Sequence, residues 1–133
     1  MTRFFADAYY YLALLNPRDE AHERVVTFTR GMVRGSVTTA WVLTEVGDAL
    51  AAPQQRSAFI NFLEDLRIDP DVEVVAPTPE LFERGVELFR DRSDKFWTLT
   101  DCISFVSMRD RGLREALTAD RHFEQAGFTA VFK

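Results

Sequence analysis

The chain has 133 residues, 47% of them hydrophobic and 28% charged, with 12 Phe, one cysteine and a net charge of −5. That is one ordinary domain with enough apolar content to bury a core, which argues against disorder. Cys102 alone excludes an internal disulfide framework. No apolar run reaches the roughly 18 residues of a membrane span, and Met1-Thr2-Arg3-Phe4-Phe5-Ala6-Asp7 lacks the apolar core and cleavage site of a secretory signal.

Taken in chain order, Arg3–Ala6 reads as a short aromatic strand that ends at Asp7. Ala8–Leu15 reads as a helix stopped by Asn16-Pro17. Asp19–Val33 reads as a second helix, with Val25, Val26, Phe28, Thr29, Met32 and Val33 near one stripe. Gly35 separates it from a minimal strand, Ser36–Thr38, and Thr38 or Thr39 caps a helix running to about Ala51. Pro53–Arg67 is a further helix, expected to bury Phe59, Ile60, Phe62, Leu63 and Leu66. Val72–Val75 is a strand. Thr78-Pro79-Glu80 combines a hydroxyl cap, proline at the first position and an acid in the first turn, which opens a helix to about Asp91. Thr98–Arg111 is the next helix, ended by Gly112. Ala116–Ala119 is a strand, Arg121–Ala126 a short helix and Ala130–Phe132 a last strand. Strands alternating with helices predict a single α/β domain over residues 1–133, with a mainly parallel sheet of four to five short strands flanked by helices.

Net acidity argues against a nucleic-acid partner, but its distribution softens the objection. Residues 1–83 carry 7 basic and 13 acidic side chains, net −6, whereas residues 84–121 carry 8 basic and 7 acidic, net +1. Asp94, Asp101 and Asp120 are among those seven acids, and cations bound to them would leave the surrounding Arg and Lys less opposed. His22 and His122 lie far apart and make no zinc pattern.

Asp7 and Asp120 each follow a strand, and Asp101 lies in the first turn of a helix. In a parallel sheet, ligands bind outside the carboxyl ends of the strands, so acids there converge from distant parts of the sequence. Glu45 falls about 100° from the centre of the Val42, Leu43, Val46, Ala49 and Leu50 stripe, on the border of the buried face; Asp48 faces water. Like charges gathered this way call for a cation among them, and carboxylate oxygens suit a hard divalent ion. Each acid also has a plain structural explanation. Asp7 and Asp120 can cap helices, Asp101 can close a capping box begun by Thr98, and Glu45 can be a solvated helix residue. Asp94 and Lys95 sit in a polar turn, or else contact water and phosphate. Thr38, Thr100 and Thr118 can orient carboxylates or act as caps. Trp41, Phe96 and Trp97 fit core or interface better than base stacking, and Cys102 fits a small buried hydrophobe.

Four segments together resemble a PIN domain, most closely the VapC-type toxins of bacterial toxin–antitoxin pairs: Phe4-Phe5-Ala6-Asp7; Thr38-Thr39 to Glu45; Asp94-Lys95-Phe96-Trp97-Thr98-Leu99-Thr100-Asp101-Cys102-Ile103-Ser104-Phe105; and Leu117-Thr118-Ala119-Asp120-Arg121-His122-Phe123. The resemblance spans the chain in order and is most specific in the last two. It implies an endoribonuclease whose Asp7, Glu45, Asp101 and Asp120 form an acidic pocket for one or two Mg²⁺ or Mn²⁺ ions. Asp94, Lys95 and Thr118 would be auxiliary. It also implies a homodimer and a VapB-like antitoxin whose C-terminal segment fills the active-site groove. The expected setting is cytoplasmic, with an RNA substrate and no membrane. Two rivals stay open. An aspartyl phosphatase would want a second Asp where Tyr9 stands, and a silent binding module would tolerate a lost acid, whereas all four are present.

Overall fold

A computed structural model describes residues 2–133. Five strands, β1 (Phe4–Ala6), β2 (Ser36–Thr39), β3 (Val72–Val75), β4 (Glu115–Leu117) and β5 (Thr129–Ala130), lie in the order β3-β2-β1-β4-β5. Every neighbouring pair is parallel. Helices connect them: α1 (Ala8–Leu15), α2 (His22–Arg30), α3 (Ala40–Ala49), α4 (Arg56–Ile68), α5 (Pro79–Asp91), α6 (Leu99–Asp110) and α7 (Arg121–Gln125). A 3-10 turn, Pro53–Gln55, precedes α4. Parallel strands covered on both faces need uninterrupted burial. Phe4-Phe5-Ala6 and Ser36-Val37-Thr38-Thr39 supply it, being buried at every position.

The strand order fixes where a ligand fits. From β1 the chain moves outward through β2 and β3; it returns to the other side of β1 for β4 and β5. The carboxyl ends of β1 and β4 therefore flank the point where the winding reverses, and a crevice opens at such a point. Asp7 follows β1 directly, and Thr118 follows β4, whose Leu117 lies in register with Ala6.

Several boundaries differ from the sequence-based expectation. α2 is His22–Arg30, not Asp19–Val33. Asp19 instead accepts the Ala21 amide at 2.9 Å in a tight turn, Gly31 ends the helix, and Val33 is 82% exposed. The strand expected over Ala116–Ala119 ends at Leu117, because the Thr118 amide turns back to the Ala116 carbonyl at 3.0 Å. The strand expected at Ala130–Phe132 is Thr129–Ala130, although Phe132 remains buried.

The expected burial of α4 holds fully only for Leu66; Phe59, Phe62 and Leu63 are half-buried, and Ile60 is 49% exposed. This helix packs against both α3 and the edge strand β3. A Cβ on Gly47 would lie 3.1 Å from the Phe59 ring, so the glycine lets the two helices approach. Leu43, Leu50, Phe59, Ile60 and Leu63 line the resulting apolar groove, a cavity of about 900 Å³. No helix among the described residues is long and apolar enough to cross a membrane.

At Gly85 of α5 a Cβ would lie 2.3 Å from Cγ1 of Ile103, a fully buried residue of α6. Overpacking a filled site costs about 1–3 kcal/mol, against about 1 kcal/mol that alanine gains over glycine in a helix. Ile103 is β-branched and has little freedom to swing aside. Gly85→Ala is therefore expected to lower the urea midpoint; an unchanged or higher midpoint would show that α5 and α6 separate without loss.

Candidate active site

Aromatic packing holds the sheet edge in place. Phe5 of β1, two residues before Asp7, meets Phe123 of α7 at 6.3 Å between ring centroids. Phe123 meets Phe105 of α6 edge-on at 5.0 Å, and Phe105 meets Trp97 edge-on at 5.0 Å. The Trp97 indole N–H donates to Gln125 Oε1 at 3.0 Å, tying the segment before α6 to the end of α7. Trp97, Phe105 and Phe123 are buried. Asp7, Asp101 and Asp120 each stand within four residues of one of these rings, so core packing sets the origin of all three carboxylates.

The carboxylates are held differently. Asp7 occupies the cap position of α1 but makes no capping hydrogen bond with its side chain. Its Oδ2 instead accepts the Thr118 hydroxyl at 2.9 Å, across the β1–β4 crevice. Asp101 closes the capping box of α6: its Oδ2 accepts the Thr98 amide at 3.0 Å, and its own amide donates to Thr98 Oγ1 at 3.0 Å. Asp120 caps α7 through Oδ1, which accepts the His122 amide at 2.9 Å. The Asp120 amide in turn donates to Thr118 Oγ1 at 3.1 Å, so one threonine fixes two acids. The plain capping roles of Asp101 and Asp120 are thus present, and each uses a single oxygen. Among the described residues, Asp101 Oδ1 and Asp120 Oδ2 have no hydrogen-bond partner.

Glu45 completes the set from α3, a helix whose Thr39 cap accepts the Val42 amide at 3.1 Å. Although the residue is exposed, its carboxyl is pushed up, first by partial burial and then by repulsion from Asp101, Asp120 and Asp48. Asp7 is affected more strongly. Burial raises its carboxyl to about 7; hydrogen bonds from the Thr118 hydroxyl and the Ala8 amide oppose this, and Asp101 and Glu45 add to it by repulsion. All four acids share one electrostatic field, as expected for like charges at close range without a counterion.

The other sequence candidates fall in different places. Thr118 lies inside the cluster, and the buried Thr38 donates to the Ala6 carbonyl at 2.9 Å, securing β1 just before Asp7. Asp94 stays outside, exposed and bound by the Arg92 guanidinium at 3.0 and 3.1 Å, with Lys95 at 3.8 Å. Phe96 is 89% exposed, so it is not a core residue, whereas Trp97 is. Cys102 is buried, and burial pushes its thiol up to about 11, which keeps it from acting as a nucleophile.

His122 is the residue that sequence reasoning undervalued. Its Nδ1 lies 2.9 Å from Asp101 Oδ2 and 3.5 Å from Asp120 Oδ1. Asp101, Asp120 and His122 each offer an atom within 4.8 Å of the others. The available signal was its place two residues after Asp120, on the first turn of a helix that begins at the sheet edge.

Comparison with known proteins agrees with this fold. No curated protein sequence matches the chain. Among solved structures, Mycobacterium tuberculosis VapC20, described as a sarcin-ricin loop cleaving toxin, matches at 26% identity and a TM-score of 0.87, covering 96% of this chain and 98% of that one. The fold alone is shared with FitAcB from Neisseria gonorrhoeae, at 17% identity and TM-score 0.66 over 98% of this chain and 96% of that one. It is also shared with Rickettsia felis VapBC2, solved with a DNA fragment from its promoter, at 8% identity and TM-score 0.65 over 96% of each chain. The PIN domain model matches residues 5–129, a span that contains Asp7, Glu45, Asp101 and Asp120, and the chain belongs to the PIN domain family.

Proposed function

We propose that residues 1–133 form one nuclease domain, a divalent-metal-dependent endoribonuclease that serves as the toxin of a type II toxin–antitoxin pair. The observation that carries this is the grouping of Asp101, Asp120 and His122 beside Asp7, which Thr118 ties across the β1–β4 crevice, with Glu45 near enough for its charge to be felt there. VapC20, the relative at 26% identity, is described as a toxin that cleaves the sarcin-ricin loop, which makes RNA the substrate class to test. A cytoplasmic location and a VapB-like antitoxin partner belong to the same proposal, as does a homodimer.

The donor set fits a hard cation. It is dominated by carboxylate oxygens, two of them without a hydrogen-bond partner among the described residues, and its charges repel one another. Asp7, Asp101 and Asp120 would hold Mg²⁺ or Mn²⁺, one or two ions, with Glu45 binding directly or through water. A bound divalent ion supplies a lowered pKa for water and compensation for charge developing on the phosphate. The chain's own residues supply position. Thr118 fixes Asp7 by donating to Oδ2 and fixes the Asp120 backbone by accepting its amide. Thr98 fixes Asp101. In-line hydrolysis leaves 5′-phosphate and 3′-hydroxyl ends. Asp94 stands outside the cluster, held by the Arg92 guanidinium, and Lys95 beside it is the residue of the two whose charge suits an RNA phosphate.

A mixed RNA pool incubated with Mg²⁺ or Mn²⁺ is expected to be cut, and EDTA to stop the cutting. Asp101→Asn, shown to be folded by circular dichroism, is expected to lower the rate by at least about 100-fold, the scale of removing one electrostatic stabiliser. Cyclic phosphate ends would instead assign attack to the RNA 2′-hydroxyl. Intact RNA together with no divalent-ion binding would return the acids to capping roles alone.

Asp7 gives a second test. With no cation present, its folded carboxyl titrates at about 7 against an ordinary 3.8, so the folded state binds the extra proton between those values. Stability from this group is therefore present at low pH and is lost as pH rises toward 7. Asp7→Asn is expected to raise the melting temperature of metal-free protein at pH 8, to shrink the difference between pH 5 and pH 8, and to abolish cleavage. A lower melting temperature in the variant would mean that the carboxylate supports the fold.

A further inference from the structure

The ring of His122 is 19% exposed in its side chain and wedges between two acids. Its Nδ1 and the Thr98 amide both address Asp101 Oδ2, at 2.9 and 3.0 Å. An oxygen accepting from two directions is fixed in place, and the carboxylate cannot rotate about its last bond without losing both contacts. Among the described residues the other oxygen, Oδ1, has no hydrogen-bond partner. The same ring is anchored at its own backbone, whose amide donates to Asp120 Oδ1 at 2.9 Å. α7 thereby carries Asp120 and the imidazole that addresses Asp101, and so couples two acids that lie 19 positions apart in sequence.

We propose that His122 is a positioning residue, whose Nδ1–H holds Asp101 Oδ2 so that Oδ1 is presented to the divalent cation, and that it is neither a general base nor a metal ligand. This rests on the metal-dependent reading of the acidic pocket. The role needs a donor attached at Cγ and nothing else of the imidazole. Asparagine places an amide nitrogen at that point, and alanine removes it. Outer contacts of this kind are typically worth about 10- to 100-fold in metal affinity or activity.

The experiment is a Mn²⁺ titration of the full chain followed by electron paramagnetic resonance, on native protein, His122→Ala and His122→Asn. The three are matched for fold by circular dichroism, and RNA cleavage is measured in parallel over a range of Mn²⁺. Alanine is expected to weaken Mn²⁺ binding by about 10- to 100-fold, with cleavage recovering as Mn²⁺ is raised. Asparagine is expected to restore the native affinity. Bound Mn²⁺ in the native protein is expected to show no spin-echo modulation from a directly coordinated imidazole nitrogen. Such modulation would overturn the proposal in favour of ligation, and an asparagine variant as impaired as alanine would overturn it in favour of imidazole-specific chemistry. Native affinity in the alanine variant would leave His122 with no role. Failure of the native protein to bind Mn²⁺ at all is a different result, and it would overturn the metal-dependent reading itself.

Discussion

The site depends on forcing like charges together against their own repulsion, and the force comes from aromatic packing. Trp97, Phe105 and Phe123 interlock edge to face beneath the pocket, and Phe5 joins them from the central strand. An edge-to-face pair is worth about 0.5–1.5 kcal/mol beyond the area it buries. Each ring is also a short step along the chain from one acid. The carboxylates cannot drift apart without disturbing rings that are almost wholly buried. The winding reversal between β1 and β4 supplies the crevice, and the rings decide which side chains reach it.

Much of the fold was legible in the sequence because its signals were local. Thr78-Pro79-Glu80 opened α5 where expected, Thr98 capped α6, and Val72–Val75 is the strand it was read to be. The hydrophobic stripe of α2 was misleading at its ends, where the Asp19 turn and Gly31 decided the boundaries. Burial on α4 was legible only at Leu66. Its apolar residues have helical periodicity, but the sequence does not say that Phe59, Ile60 and Leu63 face a partly open groove between α3 and β3.

At the site, topology made Asp7, Asp101 and Asp120 candidates, since strand ends and helix starts meet on one edge of a parallel sheet. Helical angle alone placed Glu45 at a border; it is exposed there, and Asp101 and Asp120 are among the charges that raise its carboxyl. Asp94 had no such support and is occupied by Arg92. The contact of His122 with Asp101 spans 21 positions between two helices, beyond any local pattern. The choice between capping and chemistry at Asp101 and Asp120 turned out to be a false one, because a carboxylate has two oxygens. One of them serves the helix, and the second has no partner among the described residues.

That division has an evolutionary side. At Asp101 the acid is part of a helix start, so replacing it by anything that cannot accept a hydrogen bond damages the fold along with the pocket. Asp7 makes no side-chain capping bond to α1, and burial disfavours its charged form. A lineage drifting away from the use of this pocket meets less resistance at Asp7 than at Asp101. Silent copies that still fold should accumulate changes at the end of β1 first, and the start of α6 should decay last.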